Sequence, residues 1–223
     1  ERLIPPNELP SVRNPQNGYA VTCNQKVTTD DYPYIISQHY GSDARARRIT
    51  ARIEQVAPGA MTVAEMGSIH KERLSINGQY VTKVVSTIDP ADLSSDALTL
   101  HELLLGWDGD MQPELHAPTA FAAVAEALTI KTVPAIFGQL LGEAILGGGR
   151  GGPTHWATLK TALFKESAEE PAGDGPMATY VLKEGDSWAS LYTEALETGG
   201  KALVERLGTF EDNQDAWLWG NVH

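Results

Sequence analysis

With a single cysteine, Cys23, among 223 residues, the chain can close no internal disulfide and holds no Cys-x-x-Cys pair, so zinc-ribbon and dithiol redox chemistry are excluded. The six histidines, His39, His70, His101, His116, His155 and His223, never recur at the spacing that puts two metal ligands on one helical face. A histidine-built metal centre is therefore not expected. Basic residues are outnumbered 17 to 29, and a net charge of −12 repels phosphate backbones and anionic lipid. Neither nucleic acid nor a membrane surface is an expected partner. No run is read as reaching the roughly 20 apolar residues that cross a bilayer, so a soluble chain is expected.

What is present can fill a core, since 42% of the residues are apolar. Pro5, Pro6, Pro10 and Pro15 forbid helix through the opening stretch, and Pro15-Gln16-Asn17-Gly18 is turn chemistry. Residues 19–23 (YAVTC) have strand composition and run into Asn24, which places that asparagine at a strand end. From about Ser42 the period changes: Ala46, Ile49, Ile53 and Val56 fall at helical spacing until Pro58-Gly59. Thr62 and Glu65 have the form of a capping box that starts a second helix. Leu93, Ala97, Leu100 and Leu104 predict a third, and Phe121, Val124, Ala125 and Leu128 a fourth. Trp188, Leu191, Tyr192, Ala195, Ala202 and Leu203 predict another, stopped by Gly208. The fold class is thus mainly α with a short β region. Residues 1–41 form an extended and strand region, and residues 42–223 a mainly helical one.

Residues 147–153 (GGGRGGP) lack the Gly-Lys-Ser/Thr ending of a phosphate-binding loop and are expected to be a plain loop, as are residues 166–175. Arg45, Arg47, Arg48 and Arg52 lie at helical spacing and are expected to form a solvated helix face. The chain opens on Glu1-Arg2-Leu3-Ile4-Pro5-Pro6 without methionine, and two tryptophans near the end offer a large apolar surface. Both ends are expected to be cuts in a longer protein.

The residues offer three candidates for chemistry. Cys23 is a thiolate nucleophile only with a histidine beside it; otherwise it is a small core residue. The carboxylates in Trp107-Asp108-Gly109-Asp110 can ligate calcium, but with the remaining ligands absent the segment reads as a capped turn after a helix. Asn24 at a strand end can offer its side-chain N–H to a developing oxyanion, with Arg45 orienting it, but the residue types alone favour a turn asparagine and a surface arginine.

The order Ile4-Pro5-Pro6, Asn14-Pro15, Gly18-Tyr19, Asn24-Gln25, Tyr32-Pro33, Arg45 and Ile49 resembles the beta subunit of penicillin acylases and acyl-homoserine-lactone acylases. Residues 103–109 (LLLGWDG) are similar to that family's Leu-x-x-Trp-Asp-Gly, and residues 217–223 (WLWGNVH) to its Trp-x-Trp-Gly-x-x-His. The resemblance implies an N-terminal nucleophile hydrolase, whose αββα catalytic core the helical part surrounds. It implies cleavage of linear amide bonds, in a beta-lactam side chain or an acyl-homoserine lactone, by a serine that opens the beta subunit and uses its own amino group as base. Asn24 then stands at the oxyanion donor and Arg45 at the arginine that supports it. That serine is not in this chain, so the chain alone is expected to be inactive. Its implied partners are the alpha subunit, the N-terminal part of the beta subunit and a small amide substrate. Calcium is implied for the parent enzyme, but Tyr34, Ile35 and Ile36 stand where the family carries an aspartate ligand. Only Asp30 and Asp31 remain nearby, and no cofactor is expected in this chain. A periplasmic or secreted location follows from the resemblance alone. The competing reading is a noncatalytic helical module that descends from such an enzyme and binds a partner.

Overall fold

The structure, a computed structural model, describes residues 3–37, 40–41, 43–147 and 178–223. Apart from Gly147, the two loops expected at residues 147–153 and 166–175 lie outside the described residues, as do His39 and His155. The chain divides into two compact units, Glu1–Glu72 and Arg73–His223.

In the first unit a 3-10 turn at Pro6–Glu8 and a turn closed by Gly18 N–H to the Pro15 carbonyl at 2.9 Å precede the helices. The strand expected over residues 19–23 does not form. A strand needs a neighbour for its N–H and C=O groups, and among the described residues this stretch has none. Its backbone is satisfied locally instead. The Gln25 side chain accepts from Cys23 N–H at 2.5 Å and donates to the Val21 carbonyl at 3.1 Å.

Helix α1, Ala44–Glu54, and helix α2, Val63–His70, follow. The capping box is present at α2: Glu65 N–H donates to Thr62 Oγ1, and Thr62 N–H donates back to the Glu65 carboxylate. The arginine stripe of α1 is not simply solvated. Arg48 and Arg52 converge on the Glu72 carboxylate at 3.3 and 3.0 Å, and Arg52 also donates to Ser68 Oγ on α2. The expectation failed because Glu72 is distant in sequence and no local spacing announces it.

The second unit holds α3 (Ile76–Val85), α4 (Ser95–Leu104), α5 (Ala117–Phe137), α6 (Gln139–Gly147), α7 (Ala178–Val181), α8 (Trp188–Leu207) and α9 (Trp219–Val222). Serines begin three of these helices: Ser75, Ser94 and Ser187 each accept a backbone N–H of the first turn, satisfying donors that have no intrahelical partner. Val81, Val85, Leu100, Leu104, Val124, Leu128, Tyr192, Leu196 and Trp217 form one continuous core.

Helix α8 packs mainly on α5 and α4. Two glycines let it come close: a methyl group on Gly199 would meet the Ala123 backbone at 3.1 Å, and one on Gly200 the Asp96 backbone at 2.7 Å. Helix α5 corrects the membrane expectation, because by length and composition it could cross a bilayer. Half of that apolar stretch is buried inside the chain, and a core helix enclosed by other helices needs no polar face. Of the two closing tryptophans, Trp217 is fully buried, with its indole N–H donating to the Gly208 carbonyl at 3.1 Å, and Trp219 is half-buried.

Candidate functional site

Asn24 and Arg45, 21 positions apart, are brought into contact. Asn24 sits at φ +66°, the left-handed region, which asparagine tolerates better than most residues with a Cβ. The turn this makes leaves the Cys23 carbonyl and the Asn24 side chain facing one cation. Arg45, in the first turn of α1, donates from Nη2 to the Cys23 carbonyl at 2.7 Å and to Asn24 Oδ1 at 2.9 Å. Gly41 N–H donates to the Asn24 carbonyl at 2.6 Å.

These contacts fix which way the asparagine amide points. A guanidinium only donates, so the side-chain atom that faces Arg45 is the oxygen. Both acceptors of Asn24, its carbonyl and Oδ1, are engaged, and the side-chain NH₂ has no partner among the described residues. Asn24 as a residue is exposed. An oriented, unspent N–H pair can stabilise negative charge on an oxygen, and it can do nothing as base or nucleophile.

The other candidates fare differently. Cys23 is half-buried, and no histidine is seen beside it among the described residues: its N–H is held by Gln25 and its carbonyl by Arg45. The Asp108–Asp110 segment has the geometry of a capped turn. Asp108 Oδ1 accepts Asp110 N–H at 2.9 Å, Gln112 donates to the Asp110 carboxylate at 2.6 Å, and the Trp107 indole donates to the Asp110 carbonyl at 2.9 Å. Gly109, at φ +93°, lets the loop lie on α3, where a Cβ would strike the Ser75 carbonyl at 2.7 Å. Among the described residues no group of three or more His, Cys, Asp or Glu is placed to hold a metal ion.

Sequence reasoning missed Gln25 and Gly41 as supports of Asn24. Neither carries a signal of its own: glutamine after asparagine is unremarkable, and Gly41 matters because a Cβ there would press on Asn24 Cβ at 3.3 Å. A cavity of about 550 Å³ lies elsewhere in the first unit, lined by Tyr19, Ile53, Glu54, Met61 and Met66 among others, and excludes both Asn24 and Arg45. Tyr19 donates to Glu54 at 2.5 Å across its wall, and that carboxylate raises the phenol's pKa above its ordinary value.

A family model described as Penicillin amidase matches residues 1–223. The chain belongs to the penicillin amidase family. Within that family it is similar to the Penicillin acylase 2 proenzyme of Pseudomonas sp. (strain SE83), with 32% identity over 128 residues. The matched residues are 56% of this chain and 16% of that proenzyme. Membership in the penicillin amidase family makes the chain part of a hydrolase family.

Proposed function

We propose that this chain is the oxyanion-side portion of a penicillin-acylase-type enzyme that hydrolyses linear amide bonds. The nucleophile of that reaction is an N-terminal serine outside this chain. The serine hydroxyl attacks the amide carbonyl, the serine's own amino group takes up the hydroxyl proton, the amine leaves, and water then releases the acyl group. Asn24 donates to the carbonyl oxygen as it gains charge, and Arg45 holds Asn24 for that task. Residues 1–41 join this portion to an αββα catalytic core, and residues 42–223 surround that core. The partners are then the alpha subunit, the N-terminal part of the beta subunit and a small amide substrate. A beta-lactam side chain or an acyl-homoserine lactone is the substrate class, and the periplasm or exterior is the location.

One observation carries the reading: Arg45 occupies Asn24 Oδ1 and, among the described residues, the amide NH₂ is left unspent. The arginine clamp sets the direction of that donor, which supports a role in stabilising negative charge. We assign no calcium to this chain. The Lys26 ammonium already sits on the Asp30 carboxylate, and the Tyr34 hydroxyl is committed to Glu8. Among the described residues no group of three such ligands stands beside Asp30.

The test is Asn24→Ala in the complete, processed enzyme. The bond to the oxyanion strengthens only as charge develops, so the loss is expected in kcat, by about 10²- to 10³-fold, with KM little changed. Asn24→Asp is expected to be at least as poor, since a carboxylate has no donor and repels the oxyanion. A normal kcat in folded Asn24→Ala enzyme would overturn the proposal.

A further inference from the structure

Asn24 is held by more than Arg45. Its left-handed φ is a conformation that a chain with side chains enters at a cost, and an exposed loop does not keep such a residue in place unless neighbouring bonds fix it. Arg45 reaches the site through two acceptors, the Cys23 carbonyl and Asn24 Oδ1. The first is a backbone atom, so its position depends on how residues 21–23 run. What fixes that run is the Gln25 amide, which spans the Val21 carbonyl at 3.1 Å and Cys23 N–H at 2.5 Å.

The orientation of that amide is unambiguous, because its NH₂ must meet a carbonyl and its oxygen must meet an N–H. Its two bonds flank Thr22, the pattern that a parallel neighbouring strand would give to a residue between them. Gln25 thus supplies, from two residues beyond the segment it binds, the partner that residues 19–23 otherwise lack among the described residues. With Cys23 pinned at its N–H by Gln25 and at its carbonyl by Arg45, the peptide entering Asn24 has both of its neighbouring polar groups committed.

Resting on the oxyanion reading of Asn24, we infer that Gln25 is a positioning residue for that reaction. It touches neither substrate nor nucleophile. It sets the backbone on which the donor is mounted, and so determines where the Asn24 NH₂ points.

The experiment is a double-mutant cycle in the complete, processed enzyme, with kcat, KM and melting temperature measured on the same preparations of Gln25→Ala, Asn24→Ala and the double variant. Gln25→Ala is expected to lower kcat about 10- to 100-fold with KM little changed, because a donor displaced by a fraction of an ångström fails chiefly in the transition state. On the Asn24→Ala background the same change is expected to cost nothing further in kcat, since the group it positions is gone. Gln25→Glu keeps the acceptor for Cys23 N–H, loses the donor to the Val21 carbonyl, and is expected to fall between wild type and Gln25→Ala. It also serves if Gln25→Ala does not fold.

A kcat loss that multiplies undiminished in the double variant would show that Gln25 acts elsewhere and overturn the inference. So would a normal kcat in Gln25→Ala beside a crippled Asn24→Ala, which leaves the oxyanion reading intact. A normal kcat in Asn24→Ala is the different failure, that of the underlying site.

Discussion

In residues 73–223 the side chains of Leu100, Leu104, Val85, Val124, Leu196 and Trp217 are withdrawn from water, whereas among the described residues 3–72 only Ala46 and Ile69 of the apolar side chains are buried. Leu3, Val12, Ile35 and Val63 in that first region are more than half exposed. Its order comes from directional polar contacts: Arg45 on Cys23 and Asn24, Arg48 and Arg52 on Glu72, Tyr32 donating to the Glu8 carbonyl at 2.7 Å. Such contacts stabilise weakly at a wetted surface, yet they specify angles well. The helical region gains its stability from burial; the region that carries Asn24 gains geometry.

The largest expected effect that tests this division is in the helical region. Leu100→Ala empties a fully buried site on α4 and is expected to cost about 2 to 5 kcal/mol, measured by chemical denaturation followed by far-ultraviolet circular dichroism. A cost below about 1 kcal/mol would mean that α4 repacks and that burial is not what holds this region.

Alkaline titration sharpens the contrast. Burial pushes the Tyr192 phenol well above its ordinary value of 10.0. The folded state therefore keeps its proton when the unfolded chain gives it up. The stability Tyr192 contributes is fully present below pH 10.0 and is lost as pH rises above it. Tyr192→Phe is expected to remove that part of the alkaline destabilisation while keeping the ring in the core. An unchanged pH profile would contradict it.

The smallest effect belongs to the first region. Arg52→Ala is expected to cost roughly 0.5 kcal/mol, since the pair with Glu72 is partly exposed and Arg48 remains on the same carboxylate. Amide exchange in α1 should rise accordingly, and high salt should blunt the difference. A loss comparable to Leu100→Ala would erase the distinction between the two regions.

Helix starts were the most legible part of the fold, because a cap is a local agreement between side chain and backbone. Thr62 with Glu65 was read from the sequence and is present. Helix α3 was not read: Asn77 and Gly78 weaken its pattern, and Gly78 is there because the Trp107 ring lies where a Cβ would stand, at 2.6 Å. The strand composition of residues 19–23 misled because pairing is not a property of one segment. The contact between Asn24 and Arg45 was illegible from residue types, since nothing local links a turn to a helix 21 positions on. The resemblance proposed the pair, and the supporting Gln25 and Gly41 contacts emerged only in three dimensions.

The Gly199–Gly200 pair of α8 has a consequence for how freely this helical region can change. Where side chains meet, a larger residue on one helix can be answered by a smaller one on its neighbour. Gly200 faces the backbone of Asp96, and backbone has nothing to shrink. Any side chain there must be accommodated by displacing α4 as a rigid rod, together with Leu100 and Leu104 that it carries into the core. Two positions with no side chain of their own thereby set the limit on substitution for three helices at once.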